Sequence, residues 1–143
     1  MSKHEDATLI LKLYELRREE VMRKARAWYV RDFNPATMQD FLQTMTGDHS
    51  ADLRMVISYW DMAAALVNEG AINLQMFDKT NAEHFVVFCK FEKLLPEIRA
   101  AMSPHFARNL ETLIDAIPEG RQRVVATRER MAAMRARMAA AKS

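Results

Sequence analysis

The stretch SYWDMAAALVNEGAINLQMF, residues 58–77, decides the fold class of this sequence. At helical spacing, the apolar side chains of the segment 52–69 cover about 200° of the circumference. The polar side chains share an arc of only about 100°. They are Arg54, Ser58, Asp61, Asn68 and Glu69. Such a narrow polar stripe predicts a helix at the centre of a helical bundle, ended by Gly70.

Asp61 directly follows Trp60, and a carboxylate buried at this point would be a candidate chemical site. Its place on the polar stripe instead predicts a solvated carboxylate at the wet edge of the helix. The apolar arc is broader than one small bundle covers, so we expect part of it to face another subunit. Tyr59 and Trp60 are the candidate contact residues, because large aromatic side chains carry much of the energy of interfaces.

The composition favours a helical protein of ordinary single-domain size. The 143 residues are 50% hydrophobic and 28% charged, with eleven methionines but only three glycines and four prolines. A β protein needs turn residues more often than this. The single cysteine, Cys89, excludes an internal disulfide and favours a reducing compartment. No secretory signal and no apolar run of membrane-spanning length is found, so we expect a soluble, cytoplasmic protein.

Periodicity and capping signals predict two helices before the central one. The first is expected over residues 6–31, with Asp6 as its N-cap and a solvated face of mixed charge. Asn34-Pro35 has the cap-then-proline order that opens a helix, and Gly47 is expected to end this short second helix.

After the central helix, a short helical turn over residues 71–79 is expected to pack onto the core. Thr80 and Glu83 have the capping-box spacing and predict a long amphipathic helix that bends at Pro96. Ser103-Pro104 predicts the start of another helix. Its apolar stripe is Phe106, Leu110, Leu113 and Ile117.

The C-terminal segment is electrostatically distinct from the rest. Residues 119–143 hold seven basic and two acidic residues, a net charge of +5, whereas residues 1–118 carry −3. Residues 118–120, Pro-Glu-Gly, are typical of a linker. A heptad-like seam follows, formed by Val124, Thr127, Met131, Met134, Met138 and Ala141. We predict an all-α helical bundle of five or six helices over residues 1–118, and a basic, semi-detached C-terminal helix over residues 119–143.

No catalytic, cofactor or metal-binding motif is found. The four histidines have no partner at metal-ligand spacing, and the three glycines form no phosphate-binding loop. Cys89 is expected to be a small, half-buried side chain rather than a reactive thiol, although Lys90 and Lys93 lie near it. His84 lies on the apolar arc and is expected to be a structural histidine. The sequence therefore predicts no enzyme, no cofactor and no metal.

The first of three functional hypotheses is a non-enzymatic protein that acts through protein–protein contacts, with a homodimer as the expected state. The interface would combine the aromatic pair of the central helix with the seam of the C-terminal helix. The candidate interface residues are Tyr59, Trp60, Val124, Met131, Met134 and Met138.

The alternative is binding to a nucleic acid or to an anionic membrane surface through the C-terminal helix. The candidate polyanion contacts are Arg121, Arg123, Arg128, Arg130, Arg135 and Arg137. The helix offers no aromatic residue for base stacking, which favours the first hypothesis. A further alternative is a small-ligand binder or an enzyme with a pocket between helices, reached by His84, Cys89 or Asp61.

Residues 13–102 also carry a family resemblance. In this range an aromatic–acid pair at Trp60 and Asp61, a helix ended by Gly70 and a Pro96-x-Ile98 segment follow one another. This order resembles a group of small helical bacterial proteins built on a domain of unknown function. The resemblance implies an all-α fold and a bacterial cytoplasmic setting, and it assigns no functional residue.

Overall fold

The computed structural model describes residues 2–142, and within them the chain forms nine α-helices and one 3₁₀ turn but no strand. The helices are α1 (Lys3–Arg18), α2 (Glu20–Asp32), α3 (Met38–Met45), α4 (Ser50–Asn68), α5 (Leu74–Thr80), α6 (Glu83–Cys89), α7 (Leu95–Ala101), α8 (Arg108–Ala116) and α9 (Gly120–Lys142), with the 3₁₀ turn at Glu92–Leu94. The predicted all-α class is confirmed. The helices outnumber the predicted five or six largely because two predicted helices are each divided.

Helix α4 lies at the centre of the molecule. It contains the first part of the stretch 58–77, from which the all-α class was predicted. It packs against α2 and α8, and it also contacts α3, α5 and α6. Its side chains with no more than 1% exposure are Leu53, Val56, Trp60, Ala63 and Ala64. Burying one large apolar side chain contributes about 1.5–3 kcal/mol, so this helix organises much of the core.

The predicted first helix is divided at Glu19, whose ψ of 143° lies outside the helical region. The Glu19 carboxylate accepts hydrogen bonds from the backbone N–H groups of Val21 and Met22 and so caps α2. Ser2, rather than Asp6, caps α1 through a capping box. The break changes the helical register, so Met22 is buried and Val21 is exposed.

The predicted cap of the second helix is also displaced. Thr37 and Asp40 form the capping box of α3, and both Asn34 and Pro35 lie before it. The Asn34 side chain instead donates to the Arg31 carbonyl oxygen and accepts from the Lys90 ammonium. Asn34 therefore belongs to the end of α2 rather than to the start of α3.

The long helix predicted after Thr80 is interrupted rather than bent. Helix α6 ends at Cys89, a 3₁₀ turn follows at Glu92–Leu94, and Pro96 lies in the first turn of α7. A proline ring collides with the carbonyl group four residues earlier in a continuous helix, which here belongs to Glu92. The interruption consequently lies upstream of Pro96, where the 3₁₀ turn removes that collision.

Helices α8 and α9 meet at a tight corner instead of a flexible linker. A Cβ atom on Gly120 would lie 1.8 Å from the carbonyl oxygen of Ile114, so only glycine fits. The corner also places Glu119 at a positive φ of 58°. The first two turns of α9 then pack on α6, where Val124 and Thr127 are buried. The division of the chain into domains at residue 118 stays a prediction.

Candidate functional site

Trp60, predicted to lie at an interface, is buried in the chain's own core, with 1% of its surface exposed. Its indole N–H donates to the Glu83 carboxylate at 3.0 Å, and Glu83 is held by Arg26 in a two-point ion pair. The contact prediction for Trp60 is therefore wrong. The reason is that α2 and α8, together with the shorter α5 and α6, already cover the broad apolar arc of α4.

Tyr59, the second aromatic candidate, is half-buried by α1. Its hydroxyl donates to the Leu13 carbonyl oxygen and accepts from the Arg17 guanidinium. Burial raises the pKa of Tyr59, against the opposing effect of Arg17. Val124, a third candidate, is fully buried against the bundle. Val124, like Trp60, is therefore part of the chain's own core, whereas the interface role of the half-buried Tyr59 stays a prediction.

Asp61 is half-buried and joins α4 to α8. Its Oδ1 atom accepts the backbone N–H of Leu110 at 2.8 Å, and its Oδ2 atom accepts the Asn109 side chain at 3.0 Å. Leu110 is the third residue of α8, whose own N-cap position is Ala107, in the left-handed region. Ala107 has no side-chain oxygen, so Asp61 supplies the missing cap from another helix. Asp61, predicted to be a solvated carboxylate, thus has a structural role at the start of α8.

His84 lies in an aromatic cluster with Trp60, Phe77 and Phe85 at ring-centroid distances of 6.0, 5.2 and 4.4 Å. It is fully buried, and neither ring nitrogen has a hydrogen-bond partner in the described part of the chain. Burial lowers the pKa of His84 from 6.5 to about 4, so the ring is neutral at physiological pH. Asp78 and Arg123 act on the ring only through their charges, and no group among residues 2–142 is hydrogen-bonded to it, which agrees with the structural role predicted for His84.

The arginines of α9 fall into two groups. Arg121 contacts three carboxylates, those of Glu92, Glu111 and Asp115. Arg123 pairs with Asp78, and Arg128 pairs with Glu92. In the described residues the second group, Arg130, Arg135 and Arg137, has no ion pair with a carboxylate. Half of the predicted polyanion contacts are thus neutralised by the bundle.

A cationic cleft lies where α9 passes the end of α6 and the loop before α3. Its volume is ≈ 320 Å³. We define it by six lining residues, Asn34, Cys89, Lys90, Lys93, Arg128 and Arg135. Cys89 is buried and its pKa is raised, first by burial, so the thiol is not activated by the cations around it.

The ammonium group of Lys90 lies at the end of α2. It donates to the carbonyl oxygens of Tyr29, Val30 and Phe33 at 2.7–2.8 Å, and to Asn34. These carbonyls are unpaired at a helix C-terminus, where a cation is favourable. Burial, and after it the charge of Arg135, lowers the pKa of Lys90 to about 8.

Residues 132–142, which we call the α9 overhang, extend beyond the bundle and are all exposed. Met134 is 57% exposed and Met138 is 49% exposed. Both continue the seam whose earlier members, Val124 and Thr127, pack on the bundle, and Met131 between them is half-buried. The apolar stripe of α9 therefore extends beyond the bundle, which covers only its first half.

Comparison with protein families matches residues 3–117 to a domain of unknown function, DUF4760. The chain belongs to this family. The predicted membership is confirmed, and the match is wider than the 13–102 on which it was predicted. The DUF4760 match spans α1 to α8 and ends before Gly120, so the cationic cleft and the overhang both use residues outside it. No curated protein and no solved structure matches the chain.

Two kinds of feature are absent from residues 2–142. No group of three or more His, Cys, Asp and Glu side chains is placed to hold a metal ion. None of the helices has both the length and the apolar character needed to span a bilayer.

Sequence reasoning found the overhang but missed the cationic cleft. Its cations come from two segments, with Lys90 and Lys93 near α6 and with Arg128 and Arg135 on α9. The spacing of Arg128 and Arg135, seven residues, puts both on one face of α9 and was an available signal. Nothing in the sequence shows which acids reach α9, so the neutralised arginines could not be separated from the others.

Proposed function

We propose that this chain is a non-enzymatic helical protein of the bacterial cytoplasm that self-associates through the α9 overhang. The single observation that supports this most is the apolar stripe of α9, which continues past the bundle with Met134 and Met138 exposed. An exposed apolar face rimmed by charges is typical of protein–protein contact sites.

The distribution of charge along the chain favours a second copy of the chain as the partner. The overhang carries three basic residues and no acid, whereas residues 1–118 carry a net charge of −3. Two overhangs packed side by side would bring like charges together, so we place each overhang on the bundle of the other copy. Reciprocal exchange gives a closed two-fold dimer instead of an open chain of copies.

Light scattering coupled to size-exclusion chromatography tests the proposal. We expect the full chain to be a dimer at tens of micromolar and Met134→Glu/Met138→Glu to be a folded monomer. Met62→Glu is the matched control, because Met62 is similarly exposed but lies on α4. A wild-type monomer, or equal effects of the overhang and control variants, would refute self-association through α9.

Binding to a nucleic acid or an anionic membrane is the second candidate, favoured by the three arginines of α9 that lack a carboxylate partner in the described chain. We expect Arg130→Gln/Arg135→Gln/Arg137→Gln to weaken salt-dependent binding to single-stranded DNA or to anionic vesicles. Arg121 and Arg123 are already neutralised and are not expected to contribute. Wild-type protein that binds neither probe at low salt would exclude this candidate.

A further inference from the structure

The cationic cleft concentrates positive charge that the chain itself does not neutralise. Its one close carboxylate among the described residues, Glu92, is shared between Arg121 and Arg128. Asp32 lies near enough to act on Lys90, but its carboxylate pairs with Arg31. Within residues 2–142, Lys93 and Arg135 have neither an ion pair nor a hydrogen bond. The cleft therefore differs from the first turn of α9, where Arg121 and Arg123 pair with carboxylates of the 3₁₀ turn, α8 and α5.

Two of the four cations, Lys90 and Arg128, donate hydrogen bonds to other groups of the chain. The other two, Lys93 and Arg135, donate none within residues 2–142. The ammonium group of Lys90 is surrounded by four oxygen acceptors, more than its three protons can serve. Arg128 donates from Nε to the Cys89 carbonyl oxygen and from Nη2 to Glu92. Lys93 and Arg135 line the same cleft with their donor groups unused by the described chain. Lys90 thus contributes positive charge, whereas Lys93 and Arg135 offer hydrogen bonds to a ligand.

The charge of Arg135 disfavours the charged form of Lys90 across the cleft, and a bound anion would offset this repulsion. A phosphate monoester carries a charge of about −1.5 to −2 and three strong acceptor oxygens. It could satisfy Lys93 and Arg135 together, whereas one carboxylate carries a single charge. The cleft volume of ≈ 320 Å³ lies at the lower end of the range for small-molecule sites. That size suits a small molecule better than a polymer.

We propose that the cationic cleft binds a small phosphorylated molecule, with its phosphate group held between Lys93 and Arg135 beside the fixed charge of Lys90. Arg128 lies in its ion pair with Glu92 at the same cleft and defines one wall. The site shares Arg135 with the α9 overhang, but it uses neither Met134 nor Met138.

Titration calorimetry and thermal unfolding with inorganic phosphate and with pyrophosphate, at constant ionic strength, test the site. We expect saturable binding to the wild-type chain. Lys93→Gln/Arg135→Gln should weaken it about tenfold or more, because two charged hydrogen bonds are lost. Arg130→Gln/Arg137→Gln removes the same charge from the outer part of α9 and should bind like the wild type.

Two controls separate the site from a general effect of charge. The unliganded Lys93→Gln/Arg135→Gln protein should unfold at the same temperature as the wild type or higher, since like-charge repulsion is relieved. Binding of pyrophosphate but not of phosphate would identify the ligand as a larger phosphorylated molecule. Equal loss of binding in both double variants, or a wild-type response to sulfate and chloride as strong as that to phosphate, would overturn the proposal.

Discussion

At the scale of single residues, His84 is a histidine buried entirely among aromatic side chains. Its ring fills space among three aromatic side chains, and both ring nitrogens lack partners in the described chain. An unsatisfied buried polar atom costs about 1–3 kcal/mol, which the packing of the aromatic cluster has to offset. The same environment makes His84 a source of pH-dependent stability.

The lowered pKa of His84 predicts a loss of stability on acidification. Because the folded state disfavours the protonated ring, this stability is present above the unfolded pKa of 6.5 and is lost as pH falls toward about 4. We expect His84 alone to reduce the free energy of unfolding by about 2 kcal/mol between about pH 7 and about pH 5. Urea denaturation at both pH values measures the change.

The matching variant is His84→Phe, which keeps an aromatic ring and removes both unpaired nitrogens. It should be at least as stable as the wild type near neutral pH and should lack the His84 contribution at acidic pH. His105→Gln, at an exposed position, is the control and should keep the wild-type pH dependence. An unchanged pH dependence in His84→Phe would contradict the assignment.

At the scale of helices, the sequence predicted which segments are helical better than where they end. The stripe of α4 and that of α8 follow the apolar period, so both helices could be predicted from local sequence. Three ends depend on residues distant in sequence or on tertiary geometry. Asp61 caps α8 from α4, Lys90 caps α2 from beyond α6, and Glu19 divides two helices that pack on each other.

The predicted interface residues were also limited by what local sequence can show. Met134 and Met138 could be assigned to an exposed seam because their spacing continues past the last helix of the bundle. The aromatic pair at Tyr59 and Trp60 was placed at an interface because the sequence does not show how many helices surround α4. The helices that cover α4 include α2 and α8, and local sequence does not show which side of α4 each of them occupies.

The corner between α8 and α9 gives a prediction at the scale of helices. We expect Gly120→Ala to lower the free energy of unfolding by about 2–3 kcal/mol, because its Cβ atom would collide with the Ile114 backbone. Gly70→Ala is the comparison. Gly70 has a φ of +85°, but a Cβ atom added there would meet nothing within 4 Å, so only backbone strain of about 1 kcal/mol is expected. An effect of Gly120→Ala no larger than that of Gly70→Ala would show that the corner relaxes.

At the scale of the whole molecule, α9 is one continuous helix with two different environments. Its first part buries Val124 and places Arg123 over the ring of Phe85, at 4.4 Å from the centroid. Its last part, the overhang, contacts little of the bundle and carries a positive charge. The first part serves the stability of the chain, and the overhang is free to serve binding. The two roles are separable because the helix crosses the edge of the bundle near Met131.

Truncation of the chain tests that separation. A chain of residues 1–131 lacks the overhang, whose residues are all exposed, so we expect it to unfold within a few degrees of the full chain when both are monomeric. A chain of residues 1–118 also loses Val124, the three-carboxylate contact of Arg121 and the cover over Phe85. We expect that loss to cost about 3 kcal/mol or more, since burial of one large apolar side chain contributes about 1.5–3 kcal/mol. Equal stability of the two truncated chains, measured by urea denaturation, would instead support an independent bundle domain that ends at residue 118.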